Sequence, residues 1–331
     1  MEVESKYLNV LKGFLIILVV VGHFGQTIAN NLPIGIAFIA QGSILFIYLF
    51  HMPLFLFVSG YLSKNVEEVR RNAFGNLFIP YVVYQLFVGI SLLVLTKSGE
   101  ALQNIFIPQM GAWYLLTLFC YRICLPEISK IRGVIIVGAV LSIFTCVFTG
   151  IGKEFALQKS LGFFVFFMAG YLISEIPRKI ISRKFALLSL VVIWFSLIYI
   201  SSKIDCYSIA LSVLTRKATI DDFSCWYFAP IAYAAAFGLS VLTCMLILCA
   251  IPEKNKYLEK QGANTMPMYL SHLILFMGVA YLIPKNNWAV TVIISTACII
   301  VSVILFSSKL YRKAFGSVLG IIKVGVIKNE E

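Results

Sequence analysis

Residues 8–28 read LNVLKGFLIILVVVGHFGQTI. One lysine and one histidine interrupt a run of otherwise uncharged, mostly apolar side chains. That length and composition suit an α-helix crossing the hydrocarbon core of a bilayer, which takes about 20 residues. Nine further stretches read the same way: 43–62, 77–95, 111–125, 134–148, 160–176, 185–200, 226–251, 266–283 and 289–306. Residues 34–40 are apolar but too short to cross, and are expected as a re-entrant or interfacial piece before the second span. The whole chain of 331 residues agrees, being 60% hydrophobic and 13% charged. A soluble domain carries about 45–50% apolar and about 25% charged residues. A water-soluble globule, a disordered tail and a disulfide-dense secreted module are therefore excluded. The fold expected is an all-α polytopic transmembrane bundle of about ten spans. Residues 1–331 form one domain, with 307–331 as a basic cytoplasmic tail. The run after residues 1–6 lacks a small-residue cleavage site and is read as a retained first span.

The net charge of +12 is a topology signal. With both termini in the cytoplasm, twenty Lys and Arg fall on the inner side. The other seven of the 27, Lys97, Lys153, Lys159, Lys203, Arg216, Lys217 and Lys285, fall outside, as the positive-inside rule requires. No basic stripe interleaved with aromatics on a soluble domain points to nucleic acid. The eight cysteines lie mostly in apolar runs and read as small buried hydrophobes. They show no CxxC or Cys/His spacing for a metal. Cys206 and Cys225 share the polar outer loop 201–225, where a bridge and two free thiols are both compatible with the residues.

Charges at membrane depth mark function, and no acidic residue occurs between Glu4 and Glu67. The deep ionisable groups are His23, His51 and His272, each on its own span. His23 lies eleven residues beyond Lys12, about 16 Å along a helix. Imidazole is the side chain best suited to proton transfer near neutral pH. A single buried histidine more often packs against a neighbouring helix, but three on three helices point to a shared site. Around them stand Pro53, which frees a backbone carbonyl within a span, Ser59-Gly60-Tyr61, and Gly111-Ala112-Trp113-Tyr114. Trp113 and Tyr114 read either as an interfacial aromatic belt or as a platform for a ring. Arg122 either snorkels to the interface or joins Lys64, Arg70 and Arg71 around an anion.

These residues carry a resemblance. Lys12-Gly13 followed by Val21-Gly22-His23 is similar to the Arg/Lys-x10-His element of the acyltransferase-3 family of membrane acyltransferases. Phe50-His51-Met52-Pro53-Leu54-Phe55 with Ser59-Gly60-Tyr61, Gly111-Ala112-Trp113-Tyr114-Leu115, and Asn264-Thr265 leading to Tyr269-Leu270-Ser271-His272 resemble its later elements, in order, from about residue 5 to 310. The resemblance implies an enzyme that moves an acyl group, usually acetyl, from cytoplasmic acyl-CoA to a hydroxyl. The acceptor implied is a sugar of a capsule, exopolysaccharide or O-antigen, or its lipid-linked precursor, at a bacterial inner membrane. The first motif position is often Arg and is Lys12 here, so a bidentate phosphate contact becomes a point charge.

On this basis His23 is expected as general base, with a backbone carbonyl, Tyr84 or Gln85 as its orienting partner. An acyl-histidine route stays open beside direct transfer. His51 or His272 is expected to stabilise the oxyanion or hold the sugar. Lys12, Lys64, Arg70, Arg71 and Arg122 are the candidates for the CoA phosphates. Trp113, Tyr114, Ser59, Tyr61 and Asn264 are those for the acceptor. The bilayer is the surrounding partner; oligomeric state leaves no mark. The rival class is a polysaccharide or solute exporter. Against it, this sequence shows no visible repeated half and none of the deep carboxylates of proton coupling.

Overall fold

The computed structural model describes residues 2–97, 106–149, 154–282 and 287–326. Among the described residues there are helices and no strands. A helix satisfies its own backbone N–H and C=O groups, which lipid cannot do. In chain order the helices are α1 (Glu2–Asn31), α2 (Ile34–Tyr61), α3 (Val66–Ala73), α4 (Ile79–Thr96), α5 (Trp113–Ile128), α6 (Val134–Phe144) and α7 (Leu157–Leu172). Then follow α8 (Arg183–Lys203), α9 (Tyr207–Leu214), α10 (Phe228–Ala250), α11 (Lys256–Gly262), α12 (Met266–Leu282), α13 (Trp288–Ile304) and α14 (Lys309–Val326). A π-turn, Phe74–Phe78, carries α3 into α4.

The polytopic helical bundle stands as expected, and a helix lies at each of the ten apolar stretches. Among the described residues six helices are long and apolar enough to cross a membrane, or seven if the pair α13 and α14, bent by 80°, counts as one broken span. α5, α6 and α12 hold 16, 11 and 17 residues, short of the roughly 20 of a full crossing. One expectation is corrected. Residues 34–40 are no separate piece but the first turns of the continuous α2. The basic tail contains a helix, α14, set against α12. It leaves Leu310, Val318, Ile321 and Val324 exposed, and Lys323 Nζ donates to Asn76 Oδ1 at 2.7 Å. Apolar and basic groups on one short helix bent out of the bundle are the composition of an interfacial segment.

α1 is the central rod and packs against α2, α11, α12 and α13. Leu11, Leu15, Ile16, Val20 and Phe24 are fully buried along it, the stripe a helix turns toward a core. Its inner half touches α11 backbone to backbone. A Cβ on Gly13 would sit 1.9 Å from the Leu258 carbonyl oxygen, and one on Gly262 would sit 1.8 Å from that of Asn9. Only glycine permits this approach. His23 and His272 each lie ten residues beyond one of these glycines, so the crossing sets the register in which the two imidazoles meet. The outer loop 201–225 folds as α9 and a 3₁₀ turn, Ile220–Asp222, and both Cys206 and Cys225 are free thiols.

Candidate active site

Two cavities enter the bundle from opposite ends; inner and outer follow the Lys and Arg count. The outer chamber, about 220 Å³, is walled by residues of α1, α2, α5, α7, α12 and the outer loop, His23, His51, Trp113 and Tyr269 among them. The inner cavity, about 230 Å³, is lined by Lys12, Ser59, Tyr114, Arg122, Thr265 and again Tyr269. Tyr269 therefore belongs to both walls, and its hydroxyl donates to the Gly111 carbonyl.

The histidines form a directed chain. His272 is fully buried, and its Nδ1 lies 2.9 Å from the Met268 carbonyl. A carbonyl only accepts, so this Nδ1 carries the proton, and the neutral ring has a lone pair at Nε2. That Nε2 lies 2.9 Å from His23 Nδ1. His23 Nδ1 is then the donor, and the free lone pair of His23 is at Nε2. The His23 ring is half-buried, facing the chamber, and it stacks between His272 and Phe276, with centroids 5.1 and 5.2 Å away. Gly111 makes room for it, since a Cβ there would lie 2.9 Å from His23 Cε1. His51, also buried, gives its Nδ1 proton to the Ile47 carbonyl at 2.8 Å, so its Nε2 too is an acceptor in the neutral ring.

The chain assigns His23 a partner that the sequence did not suggest. Gln85 is occupied by the Ile107 carbonyl at 2.6 Å and the Gln109 amide at 3.0 Å, and the orienting group is His272. His272 lies behind His23 and does not line the chamber. In their neutral forms neither His51 nor His272 has a spare N–H, which departs from the expected oxyanion donor.

The anion candidates separate. Lys12 and Arg122 share the inner cavity, where Arg122 Nε donates to Ser63 Oγ at 3.4 Å. Lys64 instead donates to the Ser174 carbonyl at 3.2 Å and covers the Tyr61 ring. Arg70 and Arg71 are exposed on α3, away from the cavity wall.

The acceptor candidates separate too. Trp113 lines the outer chamber and stacks on Phe163. Tyr114, one residue on, turns about 100° around the helix and lines the inner cavity instead, its hydroxyl 2.7 Å from Ser59 Oγ. Ser59 Oγ gives its own proton to the Phe55 carbonyl at 2.8 Å, so Tyr114 is the donor. Tyr61 bonds Glu4 and the Ser174 carbonyl at the inner surface. Asn264 is exposed between α11 and α12 and lines neither cavity, whereas its neighbour Thr265 lines the inner one. Gln26, Lys159, Thr215 and Lys217 are chamber residues that the sequence reading did not single out.

A family model, the acyltransferase domain of the acyltransferase-3 type, matches residues 5–307. The chain belongs to the acyltransferase-3 family. It is an integral membrane protein and an acyltransferase, and the matched span takes in every residue of both cavities. Neither the curated proteins nor the solved structures searched contain a match. Within this acyltransferase, the spacing from Lys12 to His23 joins the inner cavity to the outer chamber along one face of α1, three turns apart.

Proposed function

We propose that this acyltransferase moves an acetyl or related acyl group from acyl-CoA on the cytoplasmic side to a sugar hydroxyl presented from the outer side of a bacterial inner membrane. The observation that carries the reading is the hydrogen-bonded pair of His23 and His272, which leaves a free imidazole nitrogen at the wall of the outer chamber. A cationic cavity opens at the opposite end, with Tyr269 common to both. The acceptor is a sugar of a surface polysaccharide or of its lipid-linked precursor.

Lys12 and Arg122 face the CoA phosphates, Arg122 with a planar fork and Lys12 as a point charge. The acyl thioester passes Tyr269 to reach the chamber. The acceptor hydroxyl attacks the thioester carbonyl, and His23 Nε2 takes its proton as the C–O bond forms. The resulting imidazolium keeps its Nδ1 bond to His272. As the C–S bond breaks, it returns the proton from Nε2 to the departing sulfur, so CoA leaves as the thiol and His23 is neutral again. His51 Nε2 accepts a hydrogen bond from another hydroxyl of the sugar, and the indole of Trp113 offers a ring face. Direct transfer fits this arrangement, because the free nitrogen faces the space where an acceptor would sit.

The test is His23→Ala, with membrane expression matched to the native chain and surface glycans compared by mass spectrometry. The acyl ester mass is expected to disappear. Its persistence at native level overturns the assignment of His23. An exporter predicts a change in glycan amount without a change in acylation.

A further inference from the structure

The outer chamber holds two cations that the transfer reaction does not require. Lys159 enters from the first turn of α7 and Lys217 from the outer loop, and both line the wall with His23. Both are within electrostatic reach of His23, and Lys217 of Lys159. Among the described residues no Asp or Glu lines this chamber, and neither lysine has a salt bridge. Lys159 Nζ lies 5.2 Å from the Trp113 ring centre, a cation–π contact that leaves its charge uncompensated. Two like charges brought together beside a catalytic imidazole are unfavourable unless an anion joins them.

Lys217 is held there by construction. The preceding Arg216 is 2% exposed and adopts a left-handed backbone with φ 55°, which an L-residue adopts only when its surroundings impose it. Its guanidinium donates to the Ser142 carbonyl at 2.6 Å and lies between the Phe163 and Tyr233 rings, 5.4 and 5.0 Å from their centres. Gly162 supplies the room, since a Cβ there would come within 2.9 Å of Arg216 Cδ. Burial brings Arg216 down to about 10 and lowers Lys217 from the ordinary lysine range. Arg216 thus stays charged at neutral pH as a strut, and the bend it forces points Thr215 and Lys217 into the chamber.

We infer that the acceptor is an anion, a sugar bearing a phosphate or a carboxylate near the reacting hydroxyl, and that Lys159 and Lys217 bind that group. This rests on the transferase reading for the identity of the site but makes a claim about binding alone. Phosphate and carboxylate share the chemistry, and the phosphate can arrive free or on a lipid.

The test is ligand-observed NMR on the full chain in lipid vesicles, titrated with glucose, glucuronate and glucose 1-phosphate. Both anions are expected to bind at least tenfold more tightly than glucose, with the preference shrinking at high salt. Lys159→Gln and Lys217→Gln should each reduce the preference several-fold, the double substitution should abolish it, and Lys217→Arg should keep it. Equal binding of the three sugars, no binding of either anion, or a preference that survives the double substitution overturns the proposal. A polyprenyl-phosphoglucose in the vesicle that displaces glucose 1-phosphate supports a lipid-borne phosphate. Displacement by glucuronate alone supports a glycan carboxylate. If anion preference holds while His23→Ala leaves acylation intact, the transferase mechanism fails and this site stands; the reverse pattern removes only the anion.

Discussion

The inner cavity and the outer chamber are built from similar materials and differ in which of their polar atoms stay open. Each has two cations on its wall and no carboxylate among the described residues, and each has Tyr269 as a boundary. In the inner cavity Arg122 is held by Ser63, and the hydroxyls of Ser59 and Tyr114 are already committed to each other. In the outer chamber the committed nitrogens are those turned away from the space: Nδ1 of His23, bonded to His272 behind it, and Nδ1 of His51. What remains open inside is positive charge, and what remains open outside is a proton acceptor beside positive charge. On the proposed reading, this difference separates holding a donor from activating an acceptor; one helix, α1, carries Lys12 to the inner cavity and His23 to the outer chamber.

The strongest way to break the comparison is His23→Ala. It should lower acyl transfer by about 10²–10⁴-fold, the usual worth of a general base, while CoA binding at the inner cavity, read by calorimetry, stays unchanged. A parallel loss of CoA binding would show that the two cavities are not separable. Gly13→Ala should disturb both at once. Its Cβ meets the Leu258 carbonyl, and overpacking of this kind costs about 1–3 kcal/mol. A lower unfolding temperature in detergent together with weakened transfer is expected; an unchanged melting curve would refute the close crossing of α1 and α11.

His272→Ala sharpens the outer side. It leaves His23 Nδ1 without its acceptor, a loss of about 1–3 kcal/mol, so transfer should fall about 10–100-fold with the acceptor KM little changed. His272→Gln, which restores an acceptor, should recover part of the rate. Equal damage from both would mean that packing, not the hydrogen bond, is what matters. Arg122→Lys is the mildest, expected to raise the KM for acyl-CoA about tenfold through loss of a charge-assisted, planar contact. The acceptor KM should not move; if it does, Arg122 serves the wrong side.

Much of the frame was legible from the residues. A long apolar run has one stable form in lipid, so all-helical architecture follows from composition, and the three histidines stood out because ionisable groups at depth are costly. Element edges were less legible. Residues 34–40 are short as an apolar run, but they continue into α2 because nothing after Pro33 breaks the helix. The site was half legible. Lys12, Arg122, Trp113, His23 and His51 stand out by type and depth, and each lines one of the two cavities, with His272 behind His23. Tyr61, Lys64 and Asn264 were grouped with them by neighbourhood in sequence, and they face elsewhere. Lys159 passed as a loop-edge charge because its reach into the chamber depends on where α7 begins and on what it packs against.

Hydrophobic length was enough to establish a helical membrane protein, since it is a property of single segments against a slab of lipid. Spacing along α1 was enough to place an imidazole three turns above a lysine. Which nitrogen of His23 is free was settled only by folding, because that depends on an acceptor contributed by α12, 249 positions away in sequence. The same holds for the direction of Tyr114 and for the pairing of Lys159 with Lys217. Contacts between distant helices depend on backbone approach at sites such as Gly13 and Gly262, and no local pattern encodes the partner that will fill the space a glycine leaves.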